Sequence, residues 1–233
     1  MNVARWSLVW TLDHVYAARV QLRYLADGSV PQAYLDGDAP PVLLLPGVYE
    51  NWQFLKPVGE LLNSLGHPVH VVRELGYNRQ PIADSAELAT RILIERDLRH
   101  VVIVGHSKGG LIGKQLMVKD AVAGRIDRMV AINSPFSGSR LARYAPGAPL
   151  RAFLPSNETI ATLAQNLEAN SRITSIFSSF DPVIPEGSRL DAAENVELPL
   201  SGHFRPLGSR ELLDAVRRAV ERGASAGGSA GPE

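Results

Sequence analysis

Short apolar runs alternate with longer amphipathic stretches through the middle of the chain. Six runs are apolar or β-branched, at 41–46, 69–73, 101–104, 128–133, 173–177 and 195–198. Four stretches have helical spacing of apolar residues, at 52–65, 84–96, 108–121 and 209–222. Strands that are apolar on both faces and alternate with helices are typical of a parallel sheet covered on two sides. The pattern therefore predicts an α/β fold with about six mostly parallel strands and helices on both faces.

The two ends of the chain differ from this core. Apolar residues recur at helical spacing near the N-terminus, namely Leu8, Leu12, Val15 and Leu22. They predict an amphipathic helix within residues 1–26 that packs on the domain. The alternative is weak peripheral contact of its Trp6 and Trp10 end with a membrane surface. Residues 223–233 have nothing to bury and are expected to form a disordered tail, which leaves 1–222 as a single domain.

One connection, residues 137–161, is much longer than the others and contains three prolines. Connections of this length in a compact domain are usually functional or disordered. Five apolar residues within it argue against disorder: Leu141, Tyr144, Leu150, Phe153 and Leu154. We expect a small cap over the ends of the strands.

Composition excludes several classes of protein. Lys plus Arg and Asp plus Glu are equal at 24 each, so no strong field attracts nucleic acid or an acidic membrane. The chain has no cysteine, which excludes thiol catalysis, disulfides and thiolate metal sites. The N-terminal apolar stretch is too short for a signal peptide or a membrane span. A cytoplasmic location is expected.

The stretch 101–114 reads VVIVGHSKGGLIGK and could belong to three kinds of turn. A Walker phosphate loop fails because Gln115 follows the Gly-Lys pair and Lys108 occupies the earlier glycine position. A dinucleotide fingerprint fails because serine stands where its second glycine belongs. The five residues 105–109 match G-x-S-x-G, in which a sharp strand-to-helix turn exposes the serine oxygen and glycines avoid collisions. Ser107 is therefore a candidate nucleophile.

A nucleophilic serine needs a base, and the base needs an orienting acid, in the chain order serine, acid, histidine. His203 is the one histidine after Ser107, and it lies between the last strand and the last helix. Asp181 follows the fifth strand in a proline-flanked loop, with Glu186 and Asp191 as alternatives. The simpler interpretations are that His203 is a surface loop histidine and that Asp181 forms an Asp-Pro turn.

An oxyanion hole needs two backbone N–H groups near the serine. The helix N-terminus after Ser107 offers the N–H of Lys108. The loop after the first strand offers the N–H of Val48, with that of Tyr49 as the alternative, and Gly47 allows a close turn there.

Four motifs together resemble the α/β-hydrolase family, in particular its lipase and esterase branch. They are PGVYE at 46–50, GHSKGG at 105–110, SSFDPVIP at 178–185 and GHF at 202–204. The resemblance covers most of residues 40–222 and implies the α/β-hydrolase fold. It also implies a small-molecule or lipid ester as substrate, and no metal or cofactor.

The resemblance assigns Ser107 as nucleophile, His203 as general base and Asp181 as the acid that orients it. Two features depart from the family pattern. Many relatives have His-Gly where this chain has Pro46-Gly47, and an N-terminal helix stands in place of the family's first strands.

Three functions are compatible with these residues. The first is hydrolysis of carboxylic esters through an acyl-enzyme. The second is acyl transfer or thioester hydrolysis on the same triad, since the acceptor depends on how well the pocket excludes water. The third is a binding protein with an idle triad. If the triad acts, His203 must be uncharged. Activity should therefore fall as the pH drops below the ordinary histidine pKa of about 6.5.

Candidate substrate contacts follow the strands or lie in the cap: Tyr49, Asn78, Leu141, Tyr144, Phe153 and Leu154. The apolar members suggest an acyl-chain site, although they could simply cover the sheet, and Asn78 could be a turn residue. Lys108 opposes the dipole of its own helix. Its side chain could extend into water, favour an anionic substrate, or hold the cap through an acid such as Glu50.

Overall fold

The computed structural model describes residues 3–120, 124–145 and 147–226. Its strands are β1 (Val42–Leu45), β2 (Val69–Val71), β3 (Val101–His106), β4 (Ile126–Ile132), β5 (Ile173–Phe180) and β6 (Glu194–Ser201). They form one sheet in the order β2-β1-β3-β4-β5-β6, and every neighbouring pair is parallel. The predicted α/β architecture and its six strands are confirmed.

The α-helices are α1 (Val3–Ala26), α2 (Lys56–Ser64), α3 (Ile82–Glu95), α4 (Lys108–Asp120), α5 (Ala148–Arg151), α6 (Glu158–Gln165), α7 (Leu167–Asn170) and α8 (Arg210–Ala226). Short 3-10 helices span Gln32–Leu35, Trp52–Leu55, Arg73–Leu75, Arg140–Tyr144 and Arg205–Gly208. The predicted tail begins too early, because α8 continues through 223–226, where Ala224 and Ala226 favour helix. Residues 227–233, the rest of that tail, lie outside the described residues.

Successive strand residues point to opposite faces of the sheet, and each face carries its own apolar cluster. On one face the strands pack against α3 and α4 through residues such as Leu43, Ile103 and Met129. On the other face they pack against α1, α2 and α8 through residues such as Leu44 and Val104. Burial of apolar area on both faces explains why the strand runs are continuously apolar.

The long connection contains the 3-10 helix Arg140–Tyr144, the single-turn α5 and the start of α6. Ser139 Oγ donates to the carbonyl of Val183 at 2.8 Å, and the N–H of Arg140 donates to Glu186 Oε1 at 3.0 Å. The segment is thereby attached to the loop that follows β5.

Candidate active site

The candidate site lies where the strand order changes direction. β1 lies between β2 and β3, and Leu45 at the end of β1 pairs with Gly105 in β3. The connections that leave these two strands diverge to opposite faces, which opens a crevice at the carboxyl edge of the sheet. The loop at 46–50 and the turn at 105–108 border this crevice.

Ser107 occupies the sharp turn between β3 and α4. Its φ is 51°, a left-handed conformation that is strained for any residue with a side chain. The N–H of Ser107 donates to the carbonyl of Ile132 at 2.9 Å, and its own carbonyl accepts from the N–H of Gly110 at 3.1 Å. Backbone bonds on both sides therefore hold the strained residue in place.

The two glycines around Ser107 are required by close backbone approach. A Cβ at Gly105 would lie 2.5 Å from the carbonyl carbon of Gly109. A Cβ at Gly109 would lie 1.8 Å from the carbonyl oxygen of Leu45. The predicted steric reason for the glycines is confirmed, since any side chain at either position would force β1, β3 and α4 apart.

Asp181 and His203 form the predicted hydrogen bond. His203 Nδ1 lies 2.7 Å from Asp181 Oδ2, and both residues are buried. Asp181 Oδ1 accepts from the N–H groups of Val183 at 2.8 Å and Ile184 at 3.1 Å. Burial alone would raise the pKa of Asp181, but the charge and hydrogen bond of His203 and the two backbone donors bring it below its ordinary value.

The alternative acids lie elsewhere. Glu186 accepts from the N–H of Arg140, and Asp191 is exposed. Since Asp181 holds Nδ1 of His203, Nε2 is the nitrogen that can accept a proton. The His203 ring lies 4.8 Å from the ring of His106, the residue before Ser107.

Burial lowers the pKa of His203, but negative charge around the ring reverses this. Asp181 acts through its charge and hydrogen bond, and Glu50 and Asp13 add smaller effects. The pKa of His203 is raised above its ordinary value as a result.

The loop after β1 passes directly against the serine. A Cβ at Gly47 would lie 3.0 Å from Ser107 Cβ and 2.3 Å from Glu50 Oε1. Tyr49 has a φ of 60°, so the loop turns sharply. Val48 is half-buried and packs on the α3 and α4 side of the core. Glycine at 47 is therefore needed for the close approach, whichever N–H faces the crevice.

The buried pair of Glu50 and His106 was missed by the sequence analysis. His106 Nδ1 lies 2.8 Å from both carboxylate oxygens of Glu50, and its Nε2 lies 3.0 Å from the carbonyl oxygen of His203. Glu50 Oε2 also accepts from the N–H of Gly47 at 2.8 Å. Each ring nitrogen thus faces an oxygen acceptor, which requires either an ionised Glu50 with a doubly protonated His106 or one proton on each.

This pair joins the loop after β1 to the loop that carries His203. A glutamate among apolar loop residues, and a histidine within an otherwise apolar strand end, are the sequence signals that could have suggested it. Neither signal identifies the partner.

Two of the three expectations for the Lys108 side chain are wrong, namely extension into water and contact with Glu50. The side chain is 2% exposed and does not reach Glu50. Its Nζ donates to the carbonyl and Oδ1 of Asn78, both at 2.9 Å, to the carbonyl of Gln80 at 2.5 Å, and to Ser85 Oγ at 3.3 Å. Burial lowers the pKa of Lys108 to about 7, opposed by the charge of Asp84. Hydrogen bonds to these oxygens offset the unfavourable free energy of placing a buried amine at the start of a helix.

Asn78 is likewise structural instead of a substrate contact. It is 0% exposed, and its Nδ2 donates to the carbonyl of Pro46 at 2.7 Å. Ser85 Oγ donates to its Oδ1 at 2.9 Å. Asn78 thus links the segment that precedes α3 to the loop after β1.

The other predicted substrate contacts separate into two groups. Phe153 is buried in the α3 and α4 cluster and Leu154 packs against it, so both attach the cap to the domain and are not surface contacts. Tyr144 is 79% exposed, and Leu141 and Tyr49 are partly exposed. A Cβ at Gly147 would lie 3.8 Å from the hydroxyl of Tyr49, so the cap meets the β1 loop there.

One group of side chains among the described residues has donor atoms close enough together to be considered as a metal site. Donor atoms of Glu50, His106 and His203 lie within 4.8 Å of one another. Both nitrogens of His106 and Nδ1 of His203 are already in hydrogen bonds within the protein. The cluster is therefore accounted for as a hydrogen-bonded network.

No helix within residues 3–120, 124–145 and 147–226 combines the length and apolar character that crossing a membrane requires.

No protein-family model matches the sequence, and no curated protein matches it. Many solved structures match the fold. A monoacylglycerol lipase from Paleococcus ferrophilus is 16% identical with a TM-score of 0.56, over 80% of this chain and 96% of that chain. A structure from a study of Nitrososphaera gargenis carboxylesterases is 15% identical with a TM-score of 0.59, over 82% and 93%.

A 2-hydroxy-6-oxo-6-phenylhexa-2,4-dienoate hydrolase from Rhodococcus is 16% identical with a TM-score of 0.56, over 81% and 92% of the two chains. At such identities the likeness concerns the fold alone. Together with the six-stranded parallel sheet, it gives the chain the α/β-hydrolase fold, as the sequence motifs predict.

Proposed function

We propose that the protein is a serine hydrolase that cleaves carboxylic esters, with Ser107 as nucleophile, His203 as general base and Asp181 as its orienting acid. The observation that carries the proposal is the 2.7 Å hydrogen bond between buried Asp181 and His203, whose ring lies 4.8 Å from that of His106, the neighbour of a serine held at a φ of 51°. Acyl transfer by a serine requires these three groups: a buried acid, an imidazole that the acid orients, and a strained serine at the carboxyl edge of the sheet.

The reaction proceeds in two balanced halves. Ser107 Oγ bonds to the acyl carbon while His203 Nε2 takes its proton, and the N–H groups of Val48 and Lys108 stabilise the oxyanion. The bond to the alcohol then breaks, and the alcohol leaves with that proton. Water attacks the acyl-enzyme, passes a proton to His203, and the acid departs as the serine regains its proton.

Acyl or lipid esters are the favoured substrates. Support comes from the fold, which a monoacylglycerol lipase and carboxylesterases share with this chain, and from the partly exposed Tyr49 in the loop that borders the crevice. The same fold occurs in the dienoate hydrolase. Because one fold serves several substrates, a series of esters identifies the acyl group that the protein accepts.

The function is tested by labelling with a fluorophosphonate probe and by hydrolysis of p-nitrophenyl esters of increasing chain length. Ser107→Ala should abolish labelling and turnover, whereas Ser179→Ala, at an exposed serine, should change neither. Absence of labelling in well-folded protein would rule out the hydrolase. Acyl transfer to an added alcohol in preference to water would redefine the enzyme as an acyltransferase.

We also infer that the outer face of α1 makes weak contact with lipid surfaces. Exposed apolar residues lie along it: Leu8, Leu12, Val15, Leu22 and Leu25. Arg19 and Arg23 are exposed on the same helix, whereas its one acidic residue, Asp13, is buried. An apolar stripe with arginines and no exposed acid is the composition that binds anionic lipid.

A further inference from the structure

Asp13 is a buried carboxylate on an otherwise ordinary surface helix. It is 0% exposed and faces the loop that carries His203. Its Oδ2 accepts from the N–H of His203 at 2.7 Å, and its Oδ1 accepts from the N–H groups of Phe204 at 2.9 Å and Arg205 at 2.7 Å. A carboxylate that accepts three backbone bonds fixes the path of three consecutive residues.

The same carboxylate explains why the loop begins with glycine. Gly202 has a φ of 121°, which only glycine adopts without strain. A Cβ there would lie 2.7 Å from Asp13 Oδ1. Asp13 and Gly202 are therefore two parts of one arrangement that presents His203.

A second side chain of α1 holds the other catalytic loop. Gln21 Nε2 donates to the carbonyl of Tyr49 at 2.7 Å, and its Oε1 accepts from Asn51 Nδ2 at 2.8 Å. Asp13 and Gln21 are eight positions apart, about 12 Å along a helix axis. One helix thus contacts the histidine loop near its middle and the β1 loop near its C-terminal end.

We propose that α1 is a positioning element of the active site, in which Asp13 sets the place of His203 and Gln21 sets the place of the Tyr49 loop. The proposal rests on the proposed hydrolase function. Neither residue touches the reacting atoms. Each acts through the backbone of a catalytic segment, and a shift of about 1 Å in such a segment can cost about 100-fold in rate.

Asp13 also acts through its charge. The groups that face His203 are Asp181 after β5, Glu50 after β1, His106 at the end of β3 and Asp13 on α1. The negative charge of Asp13 is among the causes that raise the pKa of His203. Replacing Asp13 with asparagine keeps its shape, removes this charge and leaves an amide group facing backbone donors.

The test compares Asp13→Asn with Asp27→Asn, which removes an exposed carboxylate one residue after α1. For p-nitrophenyl acetate, Asp13→Asn should lower kcat by about 10- to 100-fold with little change in KM. The acid limb of its pH profile should move to lower pH. Asp27→Asn should match the wild type in kcat, in KM and in the position of the acid limb. A fall in kcat and in stability with an unmoved acid limb would reduce Asp13 to a structural residue and overturn the proposal.

Two further measurements keep the outcome clear. Gln21→Met should lower kcat without moving the acid limb, because it removes a contact and no charge; wild-type kcat in this variant would overturn the role of α1 at the Tyr49 loop. NMR titration of the His203 ring in protein that carries Ser107→Ala needs no turnover. A lower titration midpoint with Asp13→Asn supports the proposal even if esters prove to be the wrong substrate, and an unchanged midpoint contradicts it.

Discussion

His203 should stay protonated to higher pH than an ordinary histidine, although its burial opposes this, because Asp181, Glu50 and Asp13 surround it with negative charge. The base must be neutral to accept the serine proton, so a raised pKa moves the loss of activity to higher pH. We expect kcat/KM to fall with acidification around a midpoint above about 6.5, the ordinary value. Steady-state hydrolysis measured across neutral pH tests this, and a midpoint at or below the ordinary value would contradict it.

Glu50 and His106 should be coupled strongly, since either alone would be a buried polar group without its partner. Glu50→Gln and His106→Asn should each lower the free energy of unfolding by about 3 kcal/mol. The double variant should lose less than the sum. Urea denaturation of the four proteins measures the coupling. The exposed pair Arg217 and Glu221 provides the control, with an expected coupling below about 0.5 kcal/mol.

Lys114 is a buried amine with no hydrogen-bond partner among the described residues. Burial lowers its pKa to about 8. The folded state therefore binds this proton less readily than the unfolded state, so stability should increase as the pH rises from about 8 towards the ordinary lysine pKa of about 10.4. Lys114→Met should stabilise the protein at neutral pH by about 1–3 kcal/mol and remove that rise, whereas Lys119→Met on the exposed side should do neither. Equal denaturation midpoints for both variants would refute the prediction.

The residues of the proposed triad could be predicted because each follows a recognisable strand and the chemistry fixes their types and order. Glu50 could not be assigned, because its partner is 56 positions away and nothing local indicates that the two meet. The burial of Lys108 could not be predicted for a related reason. A lysine after the serine looks exposed in the sequence, while its acceptors come from a segment about 30 positions earlier.

At the scale of elements, Lys108 joins α4 to the segment that leads into α3, and Asn78 continues this link to the carbonyl of Pro46. Lys108→Met should therefore loosen the β1 loop, lower stability by about 1–3 kcal/mol and lower kcat. The loss should be equal for neutral and carboxylate-bearing esters, because the amine is buried and its hydrogen bonds go to Asn78, Gln80 and Ser85.

Lys119→Met, at an exposed lysine of the same helix, is the matched control. Parallel kinetics on the two classes of ester provide the measurement. A loss confined to the anionic ester would restore the idea that Lys108 recognises charge.

The helices and strands could be predicted from the periodicity of apolar residues, but the contacts that α1 makes with the loops could not. The amphipathic pattern predicts that one face packs on the domain, and Val9 and Val20 are buried there. The same pattern makes Asp13 look like a polar residue at the edge of that face. Its partners lie 190 and more positions later in the chain, and helical periodicity contains no information about them.

For the whole molecule, the order of strands determines where the site forms. The crevice between β1 and β3 follows from chain order and the right-handed crossover rule, so the carboxyl edge could be identified as the place to look. What the cap covers could not be predicted in this way. Its prolines and apolar residues give no periodic signal, and Phe153 proved to belong to the core.

The two faces of α1 connect the site to the proposed lipid contact. The inner face contacts the His203 loop and the Tyr49 loop, so lipid bound to the outer face would lie about one helix diameter, roughly 10 Å, from them. We expect the protein to bind phosphatidylglycerol vesicles more tightly than phosphatidylcholine vesicles, with weaker binding at high salt. Arg19→Glu with Arg23→Glu should weaken this binding at least 10-fold, at about 1 kcal/mol per charge removed. Arg91→Glu changes an exposed residue of α3, which packs on the opposite face of the sheet, and should leave vesicle binding unchanged.

Vesicle co-sedimentation measures the affinities, and light scattering measures the mass of the protein alone. Arg19 lies within the apolar stripe, so two copies that paired through this face would bring like charges together unless they were offset. A monomer that binds anionic vesicles through the arginines supports lipid contact. A dimer that Leu22→Ser dissociates, without selective binding of vesicles, would assign the face to a second copy of the chain and contradict the lipid contact.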